Sequence, residues 1–197
     1  EPLTVNQREH LGHIIGAGEH LLSMINELLD LTRIEAGQMH IANEAVEVGP
    51  VVQRSLQLVD ALARERGIQV QCEAAPPTGL AVAGDGVRVT QVLVNLLSNA
   101  IKYNHDGGWV RLRVLEASRG KIGIEVADNG IGMTEEQVAH LFEVFNRLGR
   151  ERSPVEGTGI GLALAKQLLG LMGGEIGVRS THCSGSVFTI WLRQIPR

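Results

Sequence analysis

The chain's apolar and polar positions follow two different periods. Over 5–36 no proline interrupts, and Leu11, Ile14, Gly18, Leu21, Ile25 and Leu28 recur at three- and four-residue steps. Ile15, Leu22 and Leu29 widen this stripe beyond a two-stranded seam, which predicts one long helix of a three- or four-helix bundle. Gly37 is a fitting stop, because glycine accepts the left-handed conformation that ends helices. One helix cannot bury such a stripe by itself, so a partner is implied. After Gly37 the period changes. "MHIANEAVEV" alternates as a strand, and Pro50 opens a helix running through Arg66 and closed by Gly67. "IQVQCEA" reads as a strand, "PPTGLAVAGD" as a loop with a short strand, and Asp85 as the cap of a helix reaching Tyr103. "WVRLRVLEA" and "KIGIEVAD" predict a strand pair, followed by a short helix over 135–142 and a polar, glycine-containing stretch. A helix over 159–172 leads into two last strands, "EIGVRST" and "GSVFTIWLR". Antiparallel strands with helices segregated between them imply an α+β fold, a two-layer sandwich with a mixed, mostly antiparallel sheet. The division expected is a helical segment over 1–37 and the α+β domain over 38–197.

Composition narrows the function classes. Of 197 residues, 44% are hydrophobic and 20% charged, enough for a core and against wholesale disorder. Aromatics at 3% argue against a base-stacking surface for single strands, and a net charge of −4 argues against duplex binding, so no nucleic-acid partner is expected. Cys72 and Cys183 lack metal spacing and read as reduced thiols, which fits a cytoplasmic location. Neither a membrane-length apolar run nor a signal peptide is seen. The chain opens at Glu1 in mid-pattern, as a fragment of something longer does.

Three stretches suggest chemistry. In "IEVADNGIGMTEEQ" a strand ends at Asp128, and Asn-Gly, a hairpin signal, leads instead to a helix start. The alternatives are a turn with an incidental acid, or a pocket where backbone comes close and one carboxylate reads a donor. In "DGVRVTQVLVNLLSNAIKYN", Asn95 and Asn99 are one turn apart, with Gln91 and Lys102 near the same face and Val92, Leu93, Leu96 and Leu97 opposite. Asparagine is a mediocre helix former, so the pair is either a solvated face or a set of hard oxygen ligands for Mg²⁺ beside nucleotide phosphates, with Lys102 supplying positive charge. In "EGTGIGLALAKQLL" alternating glycines precede a helix at once, a backbone arrangement suited to an anion. Neither GxGxxG nor a P-loop pattern occurs.

Taken in order, "NLLSNAIKY", "DNGIGM", "LFEVFNR" and "GTGIGLALAK" resemble the N, G1, F and G2 boxes of sensor histidine kinases. "GEHLLSMINELLDLTRIEAGQ" resembles the second helix of their dimerisation and phosphotransfer bundle, so the resemblance covers the whole chain. It implies a Bergerat-type ATP-binding fold and ATP with Mg²⁺. Asp128 would accept from the adenine amino group, with Gly130, Gly132 and Met133 at the lid base, and Asn95 and Asn99 would serve Mg²⁺ and phosphate. Lys102 and Tyr103 would line the site, Phe142 and Phe145 anchor the lid, and Arg147 approach phosphate. Gly157, Thr158, Gly159, Ile160, Gly161 and Leu162 would meet the phosphate tail. It further implies a homodimer through the bundle helix and a response-regulator receiver domain as partner. Arg150 and Arg152 read as solvated charges of a lid that is mobile without nucleotide.

The match has a departure. The family's phosphoacceptor His lies in an H box on the first bundle helix, whereas His10, His13 and His20 sit in the second without that context. The expectation is therefore a fragment without the phosphoacceptor, unable to label itself. His10 and His13 lack a third ligand for a metal, and His40, His105, His140 and His182 read as ordinary residues. Two competing readings remain: an ATPase of the wider fold, and a nucleotide-binding signalling module without kinase activity. The ATPase relatives carry a Glu where Asn95 stands, as base for the attacking water; an amide takes no proton, which favours the kinase.

Overall fold

The computed structural model describes residues 4–148 and 157–195. Two compact units divide between Met39 and His40. The first is dominated by α1, Val5–Glu35, whose N-terminus is closed by a capping box between Thr4 and Gln7. At its other end Gly37 (φ 65°) donates to Ile34 O and Gln38 N–H to Arg33 O, the paired bonds of a Schellman motif. Leu11, Ile14, Ile15, Leu21, Leu22, Ile25, Leu28 and Leu29 are all exposed along this helix. The predicted apolar stripe is therefore present and uncovered.

The second unit is a two-layer α/β sandwich. Its elements are β1 (Glu44–Glu47), α2 (Val48–Glu65), β2 (Gln69–Cys72), β3 (Ala81–Gly84), α3 (Gly86–Lys102), β4 (Trp109–Ser118), β5 (Lys121–Asp128), α4 (Glu135–Ala139), α5 (Gly161–Leu171), β6 (Glu175–Thr181) and β7 (Gly185–Ile195). Among the described residues the open sheet runs β1-β3-β7-β5-β4-β2, with β6 also paired to β7. Only β2 and β4 run parallel; the other pairs are antiparallel, as the sequence predicted for a mixed sheet. The β4–β5 turn is Arg119 and Gly120 at φ 52° and 72°, the double left-handed geometry that matches the twist of a two-residue hairpin.

Several predicted boundaries shift. Pro50 is the third residue of α2 rather than its opener, a position where its missing N–H would have no helical acceptor anyway. The strand expected from "MHIANEAVEV" shrinks to β1, α4 ends at Ala139, and α5 begins at Gly161. Gly67 and Gly173 close α2 and α5 with the same paired bonds seen at Gly37. On one face of the sheet Val110, Leu112, Ile124, Val126, Ile190 and Leu192 are at most 1% exposed. They meet the apolar side of α3 (Val92, Leu93, Leu96, Leu97), which in turn packs against α2 and α5. Strand alternation sends Trp109 and Trp191, the only two tryptophans, to the opposite face. There Arg111 lies over the Trp109 ring at 4.2 Å, and the Trp191 ring fills the space that a Cβ on Gly123 would need.

Candidate functional site

The four sequence motifs, spread over residues 95–166, meet at one end of this sandwich. Asp85 caps α3 by accepting from Val87 and Arg88 N–H, which fixes the helix that carries Asn95 and Asn99. Both asparagines are half-buried, and Asn99 Nδ2 donates to Asn95 Oδ1 at 3.3 Å. Asn95 Nδ2 is buried without a hydrogen-bond partner among the described residues. Leaving an amide donor so placed costs about 1–3 kcal/mol, so this is a position prepared for an acceptor. Gly161, the first residue of α5, lies so close that any Cβ there would collide with Asn95 Oδ1. The first turn of α5, with its orphan N–H groups, is thus pressed against the asparagine pair.

Asp128 ends β5 and is 9% exposed. Its Oδ1 accepts from Gly130 N–H at 2.8 Å and Ser186 N–H at 3.3 Å, while Oδ2 accepts no bond among the described residues. Burial pushes its pKa from 3.8 up to about 6, against the opposing pull of those two bonds. The glycines that follow are sterically required. A Cβ on Gly130 would stand 2.5 Å from Tyr103 O, and Gly132, at φ 60°, leaves no room against Thr181 O. Ile131 N–H donates to Tyr103 O and its carbonyl accepts from Cys183 N–H, so this loop is held from both sides.

Tyr103 and Lys102 are half-buried at the C-terminal end of α3, and the Tyr103 hydroxyl is 3.5 Å from where a Gly157 Cβ would be. Met133 is half-buried and donates its N–H to Ser180 Oγ. Phe142 lies beneath Lys166 Nζ at 4.9 Å. Phe145 reaches the site through backbone only: at φ 64° its N–H donates to Gly159 O, while its side chain is 63% exposed. Thr158 Oγ1 accepts from Ile160 N–H; the Ile160 side chain is buried, and Leu162 and Arg147 are half-buried. Arg150, Arg152 and most of the expected lid lie outside the described residues, as does the His20 side chain. His10, His13, His40, His105, His140 and His182 are exposed.

Sequence reasoning missed three contributors. Ser180 and Ser186 join the Asp128 network. Asn104 links α3 to β4 by donating to Ala100 O and Trp109 O. The serines carried a legible signal: each is the polar residue ending an inward apolar series, Ile176-Val178-Ser180 on β6 and Leu192-Ile190-Phe188-Ser186 on β7.

This geometry has counterparts in known proteins. Residues 84–196 match the family of histidine kinase-, DNA gyrase B-, and HSP90-like ATPases. The chain belongs to that family. Within it, the chain is 40% identical over 193 residues to the circadian input-output histidine kinase CikA of Synechococcus elongatus, covering 97% of this chain and 26% of that protein. It is 37% identical over 195 residues to sensor protein GacS of Pseudomonas syringae, covering 97% of this chain and 22% of that protein. The chain thus spans about a quarter of the length of these relatives. Full-length ShkA in complex with AMPPNP superposes with a TM-score of 0.82 at 28% identity, over 100% of this chain and 41% of that one. The mycobacterial sensor histidine kinase MprB gives 0.66 at 27% identity, over 79% of this chain and 100% of that one. Residues 84–196 are thus an ATP-binding catalytic domain of this family, and they lie within the mixed-sheet unit described above. Among the described residues no helix is long and apolar enough to cross a membrane.

Proposed function

We propose that the chain is the ATP-binding catalytic region of a sensor histidine kinase, with residues 38–197 as its catalytic domain and 1–37 as one helix of a dimerisation and phosphotransfer bundle. In this reading the γ-phosphoryl of ATP passes to a His on the companion bundle helix, and from there to an Asp of a response-regulator receiver domain. The observation that carries it is the convergence on α3, where the loop after Asp128 and Gly157 both meet Tyr103 and the first turn of α5 meets Asn95, whose Nδ2 has no acceptor among the described residues.

The residues divide the work. Asp128, ionised at neutral pH, accepts from the amino group of adenine, and Gly130 and Gly132 let backbone approach the ring. Asn95 and Asn99 would hold Mg²⁺ and the phosphates through their amides, and Lys102 and Arg147 would add positive charge. Mg²⁺ at these residues would supply neutralisation of the phosphate charge. Gly157, Thr158, Gly159, Gly161 and Leu162 present backbone N–H groups where α5 begins. The exposed stripe of α1 supports a homodimer, and the absence of an acid at position 95 favours transfer to imidazole over hydrolysis.

The test is titration with a fluorescent ATP analogue, with and without Mg²⁺, followed by phosphotransfer from radiolabelled ATP to a supplied H-box helix. Magnesium-dependent binding and acid-labile, base-stable label on that helix are expected. Binding without transfer to any supplied bundle would favour the nucleotide-binding signalling module instead.

A further inference from the structure

Three adjacent strands each place a polar residue where an inward apolar run stops. The registers Asp128↔Ser186 and Ser180↔Ser186 set these residues side by side on one face of the sheet. Ser186 is 8% exposed, so its hydroxyl has few places to turn. Ser180 Oγ accepts from Met133 N–H at 2.9 Å, lies 3.0 Å from Gly185 O and lies 2.9 Å from Ser186 Oγ. A hydroxyl has one proton and two lone pairs, and a carbonyl oxygen only accepts. The Ser180 proton is therefore directed at Gly185 O. Its lone pairs serve Met133 N–H and the Ser186 hydroxyl, which must be the donor of that pair. The proton of Ser186 is thereby committed, and its Oγ offers only lone pairs beside the Asp128 carboxylate, which is also an acceptor.

We infer that Ser180 is a positioning residue that fixes the Ser186 hydroxyl as an acceptor, so that the base end of the site takes a 6-amino purine and rejects a 6-oxo purine. The inference rests on the ATP reading above and extends it to the residue that sets base discrimination. A 6-oxo group entering here faces the lone pairs of Ser186 Oγ and Asp128 with no proton from that pair to meet it, and sites built this way discriminate far more strongly than apolar pockets. Without the Ser180 hydroxyl, the Ser186 proton loses the acceptor that committed it and is free to rotate. It can then turn toward the incoming base, and the penalty on the 6-oxo group falls.

Calorimetric titration of the full chain with Mg–ATP and with Mg–inosine triphosphate tests this. The wild type should prefer ATP by about 100-fold or more. Ser180→Val should cut that preference about tenfold, chiefly by tighter inosine triphosphate binding, while the isosteric Ser180→Thr should retain it. In a Ser186→Ala background Ser180→Val should change the ratio no further, because no hydroxyl remains to be aimed. If β-branching at this position prevents folding, Ser180→Ala replaces the valine variant and the same ratios are read. Equal weakening of both nucleotides, or a ratio shift that survives in the Ser186→Ala background, overturns the role given to Ser180. A wild type that binds neither nucleotide overturns the ATP reading itself; one that binds ATP with a ratio insensitive to Ser180 overturns this inference alone.

Discussion

Replacing Asp128 by Asn should make the protein more stable and less able to hold nucleotide. The carboxyl is 9% exposed, and burial raises its pKa from 3.8 to about 6. That rise of about two units, at about 1.36 kcal/mol each, is a cost of about 3 kcal/mol for keeping the charge in the folded state at neutral pH. Between these two pKa values the folded chain holds a proton that the unfolded chain has released. Stability is accordingly lost as pH rises from about 4 through about 6, and the full penalty stands above that. An Asn keeps the acceptor for Gly130 and Ser186 N–H and carries no charge at any pH. Near pH 4 the variant and wild type should melt together. By pH 7 to 8 the variant should gain up to about 3 kcal/mol, roughly 6–12 °C in a domain of this size. Meanwhile its affinity for ATP should fall by roughly 1–3 kcal/mol, since a charge-assisted bond is lost. Circular dichroism melts of both proteins across this pH range, paired with analogue titrations, read both effects. A variant that melts at or below the wild type at pH 8, or a gain that is the same at pH 4 and pH 8, refutes the reasoning.

Other outcomes follow from the same geometry. Gly132→Ala should cost roughly 2–4 kcal/mol, because the new Cβ meets Thr181 O in a left-handed conformation; chemical denaturation reads this directly. Gly161→Ala pushes on the Asn95 side chain and should weaken analogue binding about tenfold or more with a smaller loss of stability. The Glu143 carboxylate, bonded to His140 Nδ1 at 2.6 Å, raises the pKa of that exposed imidazole above 6.5, so NMR titration should show Glu143→Gln lowering it. Incubated alone with radiolabelled ATP, the chain should take up no acid-labile, base-stable phosphate, and strong labelling of His10, His13 or His20 would contradict that placement of the phosphoacceptor.

Most of the fold is written locally. Gly37, Gly67 and Gly173 mark helix ends because each supplies the left-handed residue that lets two N–H groups reach back to the last turn. Asp85 marks a start by the same local logic, and strict alternation exposes β4, β5, β6 and β7. Position 50 misled because proline is welcome anywhere in a first turn, so it dates a helix start only to within a few residues. β1 is short because only Glu44–Glu47 of that alternating stretch pair with β3, and Val48 already opens α2. What stayed hidden is the contact of the β6–β7 hairpin with the loop after Asp128. It joins Ser180 to Met133 and Cys183 to Ile131, about fifty residues apart, and no period of the sequence encodes such a meeting. The asparagine pair and Asp128 were visible as residues out of keeping with their elements. The proximity of Asn95 to Gly161 and of Tyr103 to Gly157 came only with the packing of α5 on α3.

The placement of both tryptophans on the face turned away from the helices separates two optical signals. Trp109 under Arg111 and Trp191 over Gly123 sense the integrity of the sheet, and neither side chain is on the face where Asp128 and Ser186 lie. Intrinsic emission should therefore hold its maximum through saturation with unlabelled ATP and move to the red only as the strands part. Unfolding can then be followed in the presence of ligand without the ligand's own occupancy colouring the trace. A tryptophan introduced beside the site, in place of Tyr103, would report the opposite: occupancy first and unfolding only afterwards.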